Sequence, residues 1–314
     1  MNNKSAYQAL QKITHSISTV IIDKTEQIEM ILSAWLMDGH VLLEDLPGTG
    51  KTVLAKCFSK VCDVDFGRVQ FTPDLLPSDI LGTTIYDQES KKFFFRKGPL
   101  FSSFFLADEI NRATPRTQSA LLEAMGERQI TVENRTTKLS ETFFVLATQN
   151  PIETHGTFPL PEAQLDRFTL KLSLGFLKKE FEALMIKQQI KGHPIEKLSS
   201  VIKQEDFINI KKLVSEVKIN DKVLSYLLDL AELTRNNSKL KHGVSQRATI
   251  ALTKLSQAFA LVKGRDFVIP SDIHQLFIPT FEHRLILTED ALFEGESKHL
   301  VLKDILRSVR APTK

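Results

Sequence analysis

Glu44-Asp45-Leu46-Pro47-Gly48-Thr49-Gly50-Lys51-Thr52-Val53 is the stretch that decides how this chain is read. It follows the apolar run Val41-Leu42-Leu43, which predicts a strand, and leads into Val53–Phe58, whose apolar residues have helical spacing. A strand, a tight glycine loop and a helix start therefore meet at one point. Backbone N–H groups of such a loop, together with the open donors of a helix N-terminus, form a cradle for phosphate. In that geometry Lys51 reaches the β- and γ-phosphates and the Thr52 hydroxyl ligates Mg²⁺. Asp45 stands where the pattern G-x-x-x-x-G-K-[ST] has its first glycine, but Gly48, Gly50, Lys51 and Thr52 keep register. The loop reads as a nucleotide site.

The rest of the composition narrows the class. A chain of 314 residues can hold two cored domains. Its 42% hydrophobic and 25% charged residues are ordinary for a globular protein. A net charge of +3, with Lys and Arg dispersed, is too small to imply a nucleic-acid or anionic-membrane partner on its own. Cys57 and Cys62 cannot build a disulfide framework and read as buried thiols of a reducing compartment. No apolar run approaches the ~20 residues of a membrane span and the polar start is no signal peptide, so a cytoplasmic protein is expected.

A second chemical signal sits in Phe104-Phe105-Leu106-Ala107-Asp108-Glu109, a buried strand ending in two acids. At a strand's carboxyl end beside a phosphate loop, Asp108 would hold Mg²⁺ and Glu109 would orient and deprotonate the attacking water. The strand Phe143–Thr148 ends in Gln149-Asn150-Pro151, where Asn150 can meet the γ-phosphate or the water. Arg167, before a strand at Thr169–Leu174, has the bland alternative of a salt bridge to Asp166 or Glu162. Two hairpins are expected, Thr83–Tyr86 with Lys92–Arg96, and Gln129–Val132 with Thr136–Leu139 across a turn at 133–135. The run Phe93-Phe94-Phe95 reads first as a strand buried on both faces, with a partner-contacting tip as the alternative.

Short helices are expected at residues 1–18 (Tyr7, Leu10, Ile13, Ile17 inward), from an N-cap at Thr25 to Gly39, near Pro77–Leu81, and at 114–126. After Gly175 the composition turns helical, with candidates at 178–191, 204–217, 221–236, 245–263 and 271–281. This divides the chain into an α/β core, 1–175, and a helical part, 176–314. Ser245 is a candidate N-cap, which puts Arg247 in a first turn, where a cation opposes the helix dipole and suggests an anion to meet.

The combination resembles the AAA+ ATPases. Within them, Ala107–Ala113, Pro115–Met125 and Gly156–Phe168 are similar to the MoxR family, and Gly243–Ala248 is similar to its sensor 2 segment. The likeness runs from about residue 20 to about 280. It implies a five-stranded parallel sheet in the order 5-1-4-3-2 between helices, followed by an all-helical lid. It makes Pro47–Val53, with Lys51 and Thr52, Walker A; Asp108 and Glu109 Walker B; Asn150 sensor 1; Arg167 an arginine finger entering a neighbour's site; and Arg247 sensor 2. The hairpins near 83–99 and 128–140 correspond to the helix-2 insert and the pre-sensor-1 hairpin. Asp23-Lys24 stands where relatives carry Gly-Gln on the adenine side. The expected activity is Mg²⁺-dependent ATP hydrolysis in a homo-hexameric ring that remodels or activates a partner protein, often one with a von Willebrand factor A domain. The competing readings are a nucleotide-gated scaffold with little turnover, and a DNA motor or metal-chelatase subunit, for which Lys91, Lys92, Arg135 and Lys138 are the only sequence support.

Overall fold

The computed structural model describes residues 3–312 apart from 134, 152–155 and 191. The expected turn residue Asn134, the helix end at Lys191 and the first two residues of the N-terminal helix lie outside the described residues. In chain order the elements are α1 (Asn3–Ser18), α2 (Thr25–Leu36), β1 (Val41–Glu44), α3 (Lys51–Val61), β2 (Phe66–Gln70), α4 (Pro77–Leu81), β3 (Gly82–Asp87), β4 (Lys92–Lys97) and β5 (Phe104–Asp108). They continue with α5 (Pro115–Glu127), β6 (Gln129–Val132), β7 (Arg135–Lys138), β8 (Phe144–Gln149), α6 (Glu162–Leu165) and β9 (Leu170–Leu172). The last part holds α7 (Lys179–Ile190), α8 (Gln204–Leu213), α9 (Asp221–Arg235), β10 (Leu240–His242), α10 (Gln246–Val262), α11 (Pro270–Phe281), β11 (Ile286–Leu287), α12 (Glu289–Phe293) and α13 (Lys298–Ser308).

The main sheet has the order β2-β5-β8-β1-β9 and every pairing in it is parallel. Counted by chain position among its own strands, that is 5-1-4-3-2, as the resemblance implies. The pleat sends alternate residues into two apolar layers. Val41, Leu43, Phe104, Leu106, Phe144 and Leu146 face the cluster that contains α1, α2, α3 and the later helices. Leu42, Phe105, Ala107, Val145 and Ala147 face a second cluster built with α5. Trp35 centres the first layer: its ring meets Phe104 at 5.1 Å and Phe207 at 4.3 Å, and its indole N–H donates to the Thr142 carbonyl at 2.7 Å. Because Phe207 belongs to α8, one continuous apolar cluster runs from the sheet into the helical part.

Several local expectations need correction. Thr25 is the first residue of α2 rather than its cap; Lys24 occupies the cap position and its side chain makes no capping bond. Asp38, not Gly39, carries the left-handed turn that ends α2 (φ 64°), while Gly39 is small because a Cβ there would sit 2.2 Å from the Thr169 hydroxyl. In α1 the buried stripe is Ala6, Leu10, Ile13 and Ile17; Tyr7 lies beside it over Gly264. The phenylalanine run is not buried on both faces. Phe93 is 69% and Phe94 48% exposed, and only Phe95 finds a ring partner in the body, Phe101 at 5.8 Å. The β3–β4 hairpin stands outside the main sheet as a two-stranded ribbon, so no second layer covers its outer face. Ser245 does cap α10, accepting from the Ala248 N–H at 3.2 Å.

Candidate functional site

Because β2, β5, β8 and β1 are parallel neighbours, their carboxyl ends lie side by side at one edge of the sheet. Four polar strand ends therefore line up: Gln70 after β2, Asp108-Glu109 after β5, Asn150 after β8, and the glycine loop after β1. Gly48 and Gly50 both hold left-handed φ, 84° and 87°, and an added Cβ at either meets nothing within 4 Å. Open space thus lies against the loop backbone where α3 begins, which is what a phosphate cradle needs. The Lys51 ammonium folds back onto the loop carbonyls of Asp45 (2.8 Å) and Leu46 (3.1 Å). These are weak neutral acceptors that an anionic oxygen would displace.

Beside the loop is a cleft of about 310 Å³. Gly48–Gly50 form one end, and Ile21, Ile22, Val53, Phe176, Leu177 and Met185 supply apolar walls. A phosphate-binding end joined to an apolar slot suits a nucleotide. Asp23 adopts φ 59°, the backbone shape a glycine would otherwise provide, and Lys24 donates to the Phe176 carbonyl at 3.4 Å across the mouth.

The acidic pair is held by a network. Thr148 donates to Asp108 Oδ1 at 2.7 Å and accepts the Glu109 N–H at 2.8 Å, which locks β5 to β8. Arg68 donates to Asp108 Oδ2 at 2.9 Å. Glu109 sits in the left-handed region (φ 56°, ψ 53°), a conformation that costs energy in a non-glycine residue and is commonest at functional positions. Its Oε2 accepts from Gln70 at 2.7 Å and from Arg112 at 3.2 Å. Among the described residues there is no group of three or more His, Cys, Asp or Glu side chains able to hold a metal. Mg²⁺ takes one or two protein oxygens and completes its shell with water and phosphate, and a hydroxyl at the start of α3 (Thr52) with a carboxylate at the end of β5 (Asp108) is a donor set of that chemistry. Asn150 is buried at the end of β8, and its carbonyl accepts from the Asn111 amide at 3.4 Å.

Arg167 is not at this edge. Arg167 precedes β9, whose start pairs with Val41 at the start of β1, so it lies at the opposite end of the strands from the loop. Four strand residues at ~3.3 Å each put roughly 13 Å between those ends. Arg167 makes neither ion pair of the bland alternative and donates to the Leu122 carbonyl of α5 at 3.1 Å. Its neighbour Asp166 is bound instead by Arg284 at 2.7 Å. Burial pushes the Arg284 guanidinium down to about 10. Arg247 is exposed in the first turn of α10, two residues after the Ser245 cap. Cys57 and Cys62 are buried, and burial raises both thiols, Cys57 to about 12, which leaves them inert. Sequence reasoning missed Arg68, Gln70, Arg112 and Thr148; only the sheet order brings them to the acids, and no spacing rule encodes that.

The fold and the edge together define a phosphate-loop ATPase core with an attached lid, the AAA+ class. Residues 40–170 match the family described as "ATPase family associated with various cellular activities (AAA)", and residues 232–305 match the AAA lid domain. The chain is 46% identical to the YeaC protein of Bacillus subtilis (strain 168), over 96% of this chain and 95% of that one. It is 36% identical to Chaperone MoxR1 of Mycobacterium tuberculosis, over 96% of this chain and 82% of that one. A crystal structure of a candidate ATPase from Cytophaga hutchinsonii superposes with a TM-score of 0.92 at 37% identity, covering 99% of this chain and 97% of the other. The chain belongs to the MoxR family of AAA+ ATPases.

Proposed function

We propose that this protein hydrolyses ATP to ADP and phosphate with Mg²⁺, in a homo-hexameric ring, and spends that cycle remodelling or activating a partner protein. The observation that carries the reading is the alignment of Gln70, Asp108-Glu109, Asn150 and an open glycine loop along one sheet edge. In this reading Pro47–Val53 wrap the phosphates and Lys51 leaves the loop carbonyls for the β- and γ-oxygens. Thr52 and Asp108 would hold Mg²⁺, which would supply positive charge against that of the triphosphate. Glu109 swings from Gln70 and Arg112 to orient water and take its proton, while Asn150 bonds the γ-phosphate or that water.

The position of Arg167, roughly 13 Å of strand away from its own loop, supports action in a neighbour's site. Arg247 serves as sensor 2, in its own subunit's site or the next one's. The 176–314 part then serves as the lid, packed on the core. The exposed Tyr86–Phe93 pair, 5.0 Å between rings, makes the β3–β4 hairpin a surface for protein contact. A partner with a von Willebrand factor A domain and a cytoplasmic setting remain the family's implication. Titration of the purified protein with ATP, followed by steady-state phosphate release, tests the core of this. Glu109→Gln is expected to bind ATP and to lose turnover by about 10²–10⁴-fold, the usual worth of a general base. Absence of ATP binding by the unaltered chain would overturn the reading.

A further inference from the structure

Asp45 occupies the place of the missing first loop glycine, and its side chain does something no glycine can. It is 5% exposed, and three donors converge on it. Ser173 Oγ donates to Oδ1 at 2.6 Å, the Gly175 N–H to Oδ1 at 2.9 Å, and the Leu174 N–H to Oδ2 at 2.7 Å. Those three residues are the segment by which the chain leaves β9 for α7, and Gly175 turns it with φ 61°. Leu174 is buried, so its N–H must find an acceptor inside the protein. A carboxylate accepts from all three donors at once, whereas an amide has a single acceptor oxygen and a glycine has none.

The same residue's backbone carbonyl takes the Lys51 ammonium. Asp45 therefore touches both the lysine that leaves for a phosphate and the segment that carries Phe176, Leu177 and Met185 to the far wall of the cleft. We propose that Asp45 is a positioning residue that couples the phosphate loop to the lid entry, holding the 175–189 wall over the base end of the cleft. This rests on the nucleotide reading above and adds to it the means by which phosphate occupancy is transmitted to the lid. Restoring the ordinary loop glycine should then weaken the site rather than improve it.

The test compares two probes on the full chain: Mg²⁺-ATP, which spans the cleft, and inorganic tripolyphosphate, which fills only the loop. In Asp45→Gly, tripolyphosphate affinity is expected to stay as in the parent while ATP affinity falls about tenfold, within the range typical of coupling between sites. Hydrogen exchange of the 176–190 backbone should rise alongside. Asp45→Asn, retaining one acceptor oxygen, should fall between the two. Ser173→Ala, losing one of three bonds, should show the smallest loss of ATP affinity, and these two milder variants carry the test if Asp45→Gly does not fold. Equal loss of both probes, or no loss of either, overturns the coupling. Failure of the parent chain to bind either probe would sink the nucleotide reading itself and this proposal with it.

Discussion

Arg284→Met removes a cation that ties the Arg167-bearing segment to the helical part. The side chain is 4% exposed, and its Nε donates to Asp166 Oδ1 at 2.7 Å. Nη2 donates to the Phe168 carbonyl at 2.7 Å and Nη1 to the Thr280 carbonyl at 2.5 Å. A hydrogen bond to a charged group contributes about 1.5–3 kcal/mol and a neutral acceptor left without its donor about 1 kcal/mol or more. Two considerations reduce the sum. Asp166 is 26% exposed, so water can take over part of its solvation, and the Phe168 carbonyl keeps a second donor, His283 Nε2, at 3.0 Å. The depressed pKa of Arg284 also records a desolvation cost that methionine relieves. The net expected loss is about 3 kcal/mol, which for a chain of this size lowers the melting temperature by about 4–5 °C. Thermal unfolding by circular dichroism reads this directly. Arg284→Lys should recover little, because an ammonium cannot reach the diverging acceptors that the planar fork spans. A melting temperature unchanged in Arg284→Met would refute the reasoning, since it would mean the buried fork contributes nothing net.

Three further outcomes are expected. Arg167→Ala should leave ATP affinity intact and lower turnover of the assembled protein by ~10³-fold or more, as loss of a trans arginine does; unaltered turnover would remove Arg167 from the role. His40 and His283 are both buried, and burial lowers His40 to about 3 and His283 well below its ordinary value. Their folded pKa values lie under the unfolded one, so this stability is complete above about pH 6.5 and is lost as pH falls from there, for His40 down to about 3, at up to ~1.4 kcal/mol per pH unit for each histidine. Urea midpoints measured at pH 7, 6 and 5 should decline accordingly, and a flat series would contradict it. Gly39→Ala would drive a Cβ to 2.2 Å from the Thr169 hydroxyl and 3.1 Å from the Ala34 carbonyl, costing about 1–3 kcal/mol; equilibrium unfolding measures it, and a neutral result would show that the turn yields.

The local elements were legible because each rests on contacts close along the chain. The glycine loop needs left-handed backbone at Gly48 and Gly50, α10 needs its Ser245 cap, and the β5 acids follow an unbroken apolar strand. The misreading of the phenylalanine run has a physical cause. Whether Phe93 is buried depends on which layer covers the hairpin, and no residue nearby in sequence decides that. The chain by itself determined the phosphate loop, the strand-end acids, the helices of the second half and, through its long motifs, the family. Only the tertiary structure decided that Gln70 and Arg112 bind Glu109, that Arg167 stands a strand's length from its own loop, and that Asp45 fastens that loop to the lid entry. Those are meetings between residues up to 130 positions apart, as Asp45 and Gly175 are, and they exist only once the parallel sheet has chosen its neighbours.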